Sequence, residues 1–448
     1  MLEEQTAQPS EGPYFDIPFE EFPLKVVGPF KTEEGKVVEL SWATIEFDPN
    51  AGLTFRYDQD LADLPGTQVH AYTSNGQDLL LFRNKEGIPD KAIWNILRSH
   101  FFEYALQSNF RVYEADGPAV FDTWVLSGDA LKGHSSASPT EIKNLQEGSI
   151  QLTVDSKVQI EGPVPAINAV LKAWVGFNFE SSMLGGQTIR PVPEYVFRYP
   201  TPIAFDEVRW HEELFRELLD FIWCRGHGVP TVHLKLGLRK SRLLRKSVHV
   251  PNSEETYRAL HFNRYLKAKK TENARKTSFV EDHLLTWSNV WFSMSDTERR
   301  PFIQAARLLK SPAMQTDLRF AGALHCLEAL DKQKNPTPKP KGKPTFLNER
   351  LQRLSHRWIN VTRPATTSQS SYLDRLAYTR NEIIHMEPHP EVQPGDLLEG
   401  SQITRAYYEA IVMIRASFLD VMGMPAAIGD GYAHSALKEL ALIHFRYS

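Results

Sequence analysis

Close to Pro202 the hydrophobic pattern of this 448-residue chain changes period, and that change restricts the fold more than any other feature. Before it, apolar residues alternate with polar or small ones, as in half-buried strands. Val38, Leu40 and Trp42 follow this rule, and Asp48-Pro-Asn-Ala-Gly52 reads as a turn before Leu53–Tyr57. Ile150–Val154 and Val158–Ile160 flank Asp155-Ser156 as the arms of a hairpin would. Trp174–Phe179 and Tyr195–Tyr199 read as further aromatic strands. One helix is expected among them, from Asp90 to about Gln107, with Ile93, Trp94, Leu97 and Phe101 on one face. The expected architecture for this half is a twisted sheet or sandwich.

After Pro202 the spacing becomes helical. Leu214, Leu218, Leu219 and Ile222 place a helix over Glu207–Cys224. Further helices are expected over Phe302–Leu309, Ala313–Asp331 and Leu347–Trp358, with a last one over Ile403–Val421 stopped by Gly423 and Pro425. Between them, residues 332–344 alternate Lys with Pro and read as an exposed basic loop. The fold class is therefore α+β, with a β-rich N-terminal domain over 1–205 and a helical and basic connecting region over 206–300. An antiparallel helical bundle over 301–448 completes it.

A chain this long exceeds one ordinary core, and its 42% hydrophobic and 24% charged residues are those of a globular protein. No uncharged apolar run reaches membrane-spanning length, and the acidic start Met1-Leu-Glu-Glu-Gln argues against a signal peptide. Cys224 and Cys326, far apart, suggest a reducing, cytoplasmic setting. The net charge of −4 hides an asymmetry: residues 235–276 hold 13 Lys or Arg against 3 Glu. Arg239, Lys240, Arg242, Arg245 and Lys246 are its densest part. Such a patch attracts phosphate backbones such as RNA, or it is a solvated face paired with acids.

The segment with most chemical content is Leu376-Ala-Tyr-Thr-Arg380-Asn381-Glu-Ile-Ile-His385. On a helical wheel Leu373, Leu376, Ala377, Ile383 and Ile384 form an apolar stripe with Arg380 in its middle. A buried arginine needs a partner, and Glu328 is the candidate acid. Asp374, Tyr378, Asn381 and His385 follow as a polar flank. Arg380 and His385 lie roughly 140° apart on an ideal helix, so one site uses both only if the arginine reaches around. The spacing alone says little, since Arg242 to His249, Arg319 to His325 and Arg350 to His356 repeat it. A second reading makes Arg380 and Glu328 a structural pair, with Asn381 and His385 bracing the helix end. A metal site at His385, Glu387 and His389 is disfavoured because Pro388 and Pro390 break any helix there. Trp287, Trp291 and Phe292 read as core aromatics, and His325 and His356 as ordinary helix histidines.

Arg380-Asn381-Glu-Ile-Ile-His385 resembles the signature of HEPN-domain ribonucleases: Arg, a polar residue, three more, then His. The chain more narrowly resembles ApeA-type proteins of bacterial anti-phage defence, in which a β-rich N-terminal domain precedes a HEPN bundle. Val27-Gly28-Pro-Phe30, Trp291 and the stretch Arg319–Leu330 carry that likeness. The resemblance implies a metal-independent endoribonuclease without a cofactor, acting in abortive infection. His385 would be general base or acid, Arg380 would hold the phosphate, and Asn381 would orient one of them. Asp374, Tyr378 and Glu328 would support the site. It further implies RNA, with tRNA among the candidates, as substrate, 2′,3′-cyclic phosphate and 5′-hydroxyl products, a homodimer through the bundle, and a phage-derived trigger. The alternative is a non-catalytic HEPN-like module that binds a protein or nucleotide partner.

Overall fold

The structure is a computed structural model. It describes residues 23–32, 35, 37–38, 42–48, 52–57, 68–75, 77–83, 102–111, 120–127, 141–144, 150–153, 158–181, 187–223, 231–236, 256–261, 278–310, 314–335, 347–355, 369–386 and 392–447. Chain contacts divide the protein into two units. The first comprises 1–163, 168–210 and 227–267; the second comprises 164–167, 211–226 and 268–448.

Unit 1 is built on β1 (Leu24–Thr32), β2 (Val37–Val38), β3 (Trp42–Asp48), β4 (Gly52–Tyr57), β5 (Gln68–Thr73), β6 (Gln77–Arg83), β7 (Phe102–Arg111) and β8 (Val120–Ser127). It continues with β9 (Glu141–Asn144), β10 (Ile150–Thr153), β11 (Val158–Val164), β12 (Ala169–Ser181), β13 (Gln187–Ala204), β14 (Thr231–Leu236) and β15 (Thr256–His261). Thirteen strands make one sheet in the order β11-β12-β13-β8-β14-β15-β7-β6-β5-β1-β3-β4, with β2 on β1. Alternation does its expected work in β1, where Leu24 and Val26 are buried while Lys25 and Val27 face out. Leu24 pairs with Ile45 and Val26 with Ala43. The β1–β5 register shifts between Val27 and Lys31, across Gly28-Pro29, where proline lacks a donor and the ladder must bulge. β3 and β4 pair antiparallel, from Ala43 with Tyr57 to Asp48 with Gly52, and the residues 49–51 expected to turn lie outside the described residues. Trp124 of β8 stacks on Phe197 of β13 at 4.3 Å, and its indole N–H donates to the Tyr199 hydroxyl at 2.7 Å.

Three expectations for this half are corrected. Residues 102–107 belong to strand β7, not to a helix; Phe102, Tyr104 and Leu106 alternate at period two, and β7 pairs with β6 and β15. The strands around Asp155-Ser156 do not pair with each other. Instead β10 pairs with β9 in a separate two-stranded sheet, while β11 lies beside β12. The region 206–300 supplies two strands besides its helices: β14 and β15 insert between β8 and β7. Residues 239–246, with the five basic residues proposed to bind RNA, lie outside the described residues.

The helices are α1 (Phe205–Trp223), in which the two units divide, α2 (Ser278–Ser293), α3 (Asp296–Lys310), α4 (Thr316–Lys334), α5 (Leu347–Ser355), α6 (Gln369–His385), α7 (Ser401–Val421) and α8 (Ala426–Tyr447). The residue Ser295 before α3 forms a capping box: its hydroxyl and backbone N–H both donate to Glu298 at 2.7 Å. Pro301 inside α3 cannot donate to the carbonyl of Thr297, and the Gln333 amide of α4 donates to it instead at 2.6 Å. Gly322 of α4 lies where a Cβ would come within 3.1 Å of Leu308, so α3 and α4 pack closely there. Phe418 of α7 sits among Phe221, Trp287, Trp291 and Phe302, and the indole of buried Trp291 donates to the Leu214 carbonyl at 2.8 Å. These aromatics are core, as their spacing suggests. The stop after Val421 is a Schellman motif. Gly423, at φ +76°, donates to Asp420 and Met424 to Leu419. The chain does not end its helices there: Pro425 precedes α8, an element the sequence pattern did not suggest.

Candidate functional site

Helix α6 buries Leu373, Leu376 and Ala377, while Ile383 is half-buried and Ile384 is 45% exposed. Arg380 stands at the border of that stripe with 18% of its side chain exposed. Its Nη2 lies 3.6 Å from Oε2 of Glu328 on α4, and its Nη1 donates to Oδ1 of Asn381 at 2.9 Å. Nε is buried and has no hydrogen-bond partner among the described residues. The guanidinium is thus tethered at two corners but keeps donors uncommitted, and a planar fork of donors suits a phosphate or carboxylate.

The bond to Asn381 bears on the 140° separation. Asn381, which the Arg380 guanidinium reaches, stands one turn before His385 on the helix. Asn381 and His385 are exposed. His385 is the last residue of α6, and Met386 ends the helix in the left-handed region (φ +54°) with its N–H bonded to the Glu382 carbonyl. Among the described residues nothing holds the His385 ring by a hydrogen bond.

Glu328 is the hub of the electrostatics. Its other oxygen takes Lys332 Nζ at 2.9 Å. Burial pushes its carboxyl up, but the bound Lys332 ammonium, then Arg380 and Arg350, bring it net below the ordinary carboxylate range. It therefore stays ionised at neutral pH and holds Arg380 by charge. Of the other flank residues, Asp374 accepts from the Asn348 amide of α5 at 2.6 Å and so joins α5 to α6. Tyr378 is 39% exposed. The structure thus joins Arg380, Asn381 and Glu328, while His385 makes no hydrogen bond to them among the described residues and Asp374 bonds to a neighbouring helix.

Two polar clusters nearby were missed from the sequence. The Tyr372 hydroxyl donates to Glu409 at 2.6 Å, and Arg405 Nε donates to the same carboxylate at 2.8 Å. Burial raises the Glu409 carboxyl despite both partners, and burial with the Glu409 charge raises Tyr372 well above the phenol range. Asp331, fully buried, accepts from Arg353 Nε at 2.9 Å and from Asn335 at 3.0 Å, with Arg350 at 3.8 Å. Both acids sit among apolar neighbours on their helices, the same mark that singled out Arg380. Among the described residues no three His, Cys, Asp or Glu side chains converge as metal ligands; Glu387 and His389 lie outside them. His325 is exposed, and burial pushes the Cys326 thiol up to about 12. No described helix is long and apolar enough to cross a membrane. No protein-family model, curated protein or solved structure matches the chain.

Proposed function

We propose that the protein is a HEPN-type, metal-independent endoribonuclease acting in the cytoplasm as an abortive-infection effector against phage. One observation supports this reading: Arg380 is held by Glu328 and bonded to Asn381, and Asn381 stands one turn before His385 on the same helix. In the proposed reaction the scissile phosphate docks on Arg380, whose charge also stabilises the oxygens as negative charge builds. His385 takes the ribose 2′-hydroxyl proton or protonates the leaving 5′-oxygen. The 2′-oxygen attacks phosphorus, the P–O5′ bond breaks, and a 2′,3′-cyclic phosphate and a 5′-hydroxyl result. DNA lacks the nucleophile. A second copy of the chain would complete the site, consistent with the exposure of Tyr378, Ile384 and Met386 on and beside α6. The basic 239–246 segment would hold RNA, tRNA among the candidates, and the β-rich unit would receive a phage-derived trigger.

The exposed His385, with no orienting hydrogen bond among the described residues, favours a second reading, a non-catalytic module that binds a protein or nucleotide through Arg380. The discriminating experiment incubates purified protein with a labelled tRNA and mRNA pool in EDTA and determines 3′-end chemistry. Wild type leaves cyclic phosphate ends, while folded His385→Ala and Arg380→Ala cleave about 10²–10⁴-fold more slowly. Cleavage by His385→Ala at the wild-type rate would sink the nuclease reading.

A further inference from the structure

Thr379 is the last buried residue of α6, 3% exposed; beyond it residues 380–385 are half-buried or exposed. The candidate site therefore stands on the end of the helix, past its last buried side chain. The last carbonyls of a helix have no partner within it, and such ends fray. Where Arg380 and His385 point thus depends on what grips α6 just before them. A buried threonine suits a grip better than a plain apolar contact, because its hydroxyl needs a partner.

That partner is the peptide group joining Leu397 to Leu398, in the segment that leads into α7. Its N–H donates to Thr379 Oγ1 at 2.9 Å, and its carbonyl accepts from Nη2 of Arg375 at 2.8 Å. Arg375 stands one turn before Thr379 on the same face of α6, and its Nη2 also lies 3.1 Å from Oε1 of Gln402 in the first turn of α7. Both polar ends of one peptide are thus held by one helix face, and the Leu398 side chain is itself buried. Round the helix, Asn381 lies roughly 160° and His385 roughly 120° from Thr379, so the clamp grips α6 away from the flank that the site uses. We propose that Thr379 is a positioning residue for Arg380 and His385, acting with Arg375 through this peptide. That role rests on the nuclease reading. The clamp fixes α6 one residue before Arg380, so arginine and histidine meet the phosphate and the ribose in one arrangement. A misplacement of about 1 Å costs on the order of a hundredfold in rate.

The test measures single-turnover cleavage of a labelled RNA pool in EDTA by the full-length protein at rising concentration, well below its melting temperature. Thr379→Val, which keeps the shape and removes the acceptor, lowers the saturating rate about tenfold or more, while the half-saturating concentration changes less than about threefold. Thr379→Ser, which restores the acceptor, recovers the rate to within about threefold of wild type. Where Thr379→Val does not fold, Arg375→Met releases the other end of the same peptide and gives the same split. Three results, each with wild type cleaving, overturn this inference alone. They are a folded Thr379→Val or Arg375→Met that cleaves as fast as wild type, a loss confined to RNA affinity, and a Thr379→Ser as slow as Thr379→Val. Wild type that leaves the RNA intact overturns the nuclease reading and this role with it.

Discussion

An arginine on a mostly apolar helix face has to be held, and Arg380 is held by Glu328 and Asn381. Under the nuclease reading that tether is preorganisation: the cation is aimed before substrate arrives. Glu328→Gln keeps the shape and removes the charge that positions Arg380. Its single-turnover cleavage is expected to fall about tenfold with RNA affinity equal or higher, since one repelling anion is gone. An unchanged rate would mean that Glu328 only braces the bundle. Met386 makes the other residue-scale prediction. It holds φ +54° with a side chain 86% exposed, so it pays left-handed strain without compensating burial. Met386→Gly should raise stability by about 1 kcal/mol in urea denaturation, because glycine adopts this region freely. A loss of stability would mean that Met386 makes a contact worth more than the strain.

Among elements, the informative case is how α3 tolerates its proline. Thr297 would have an unmet carbonyl, and Gln333 of α4 meets it, so a defect in one helix becomes a bond to the next. Gln333→Ala should cost about 1 kcal/mol, and less in a Pro301→Ala background, where the helix supplies its own donor. Equal costs in both backgrounds, measured as a double-mutant cycle by chemical denaturation, would rule out this account. Asp331 performs the corresponding service between α4 and α5 through Arg353, whose guanidinium its bonding drives still further toward the charged form.

The whole-molecule consequence concerns pH, through unit 2. His211 is buried against the Phe292 ring, and burial lowers its pKa to about 4. The unfolded chain takes up this proton near 6.5 and the folded chain only near 4. Stability from the neutral ring is therefore full above about 6.5, declines as pH falls through that window, and is lost below about 4, a difference of about 3 kcal/mol. His211→Gln, neutral throughout, should melt with a visibly smaller dependence on pH between 6.5 and 5 than wild type. Parallel melting curves for the two proteins across that range would refute the assignment.

The α+β division was legible in the sequence, because hydrophobic period is a local property and a chain cannot hide the faces it must bury. The stop at Gly423 was local too: a left-handed glycine and a following proline end a helix wherever it lies. Arg380 was legible as a charge in an apolar stripe. Its partner was only nominated by the sequence, since Glu328 lies on another helix and packing alone brings the two to 3.6 Å. Strand pairing was decided by tertiary structure, because every residue of a strand offers the same backbone donors and acceptors. Nothing local tells β10 to choose β9 over the strand that follows it, or sends β14 and β15 from a highly charged stretch into the middle of a sheet. Phe102–Gln107 shows the same limit: short apolar runs fit helix or strand, and the neighbours β6 and β15 made the choice. The sequence by itself determined which faces had to be buried. Tertiary structure decided which partner each face and each buried charge would meet, because that depends on contacts far apart in the chain.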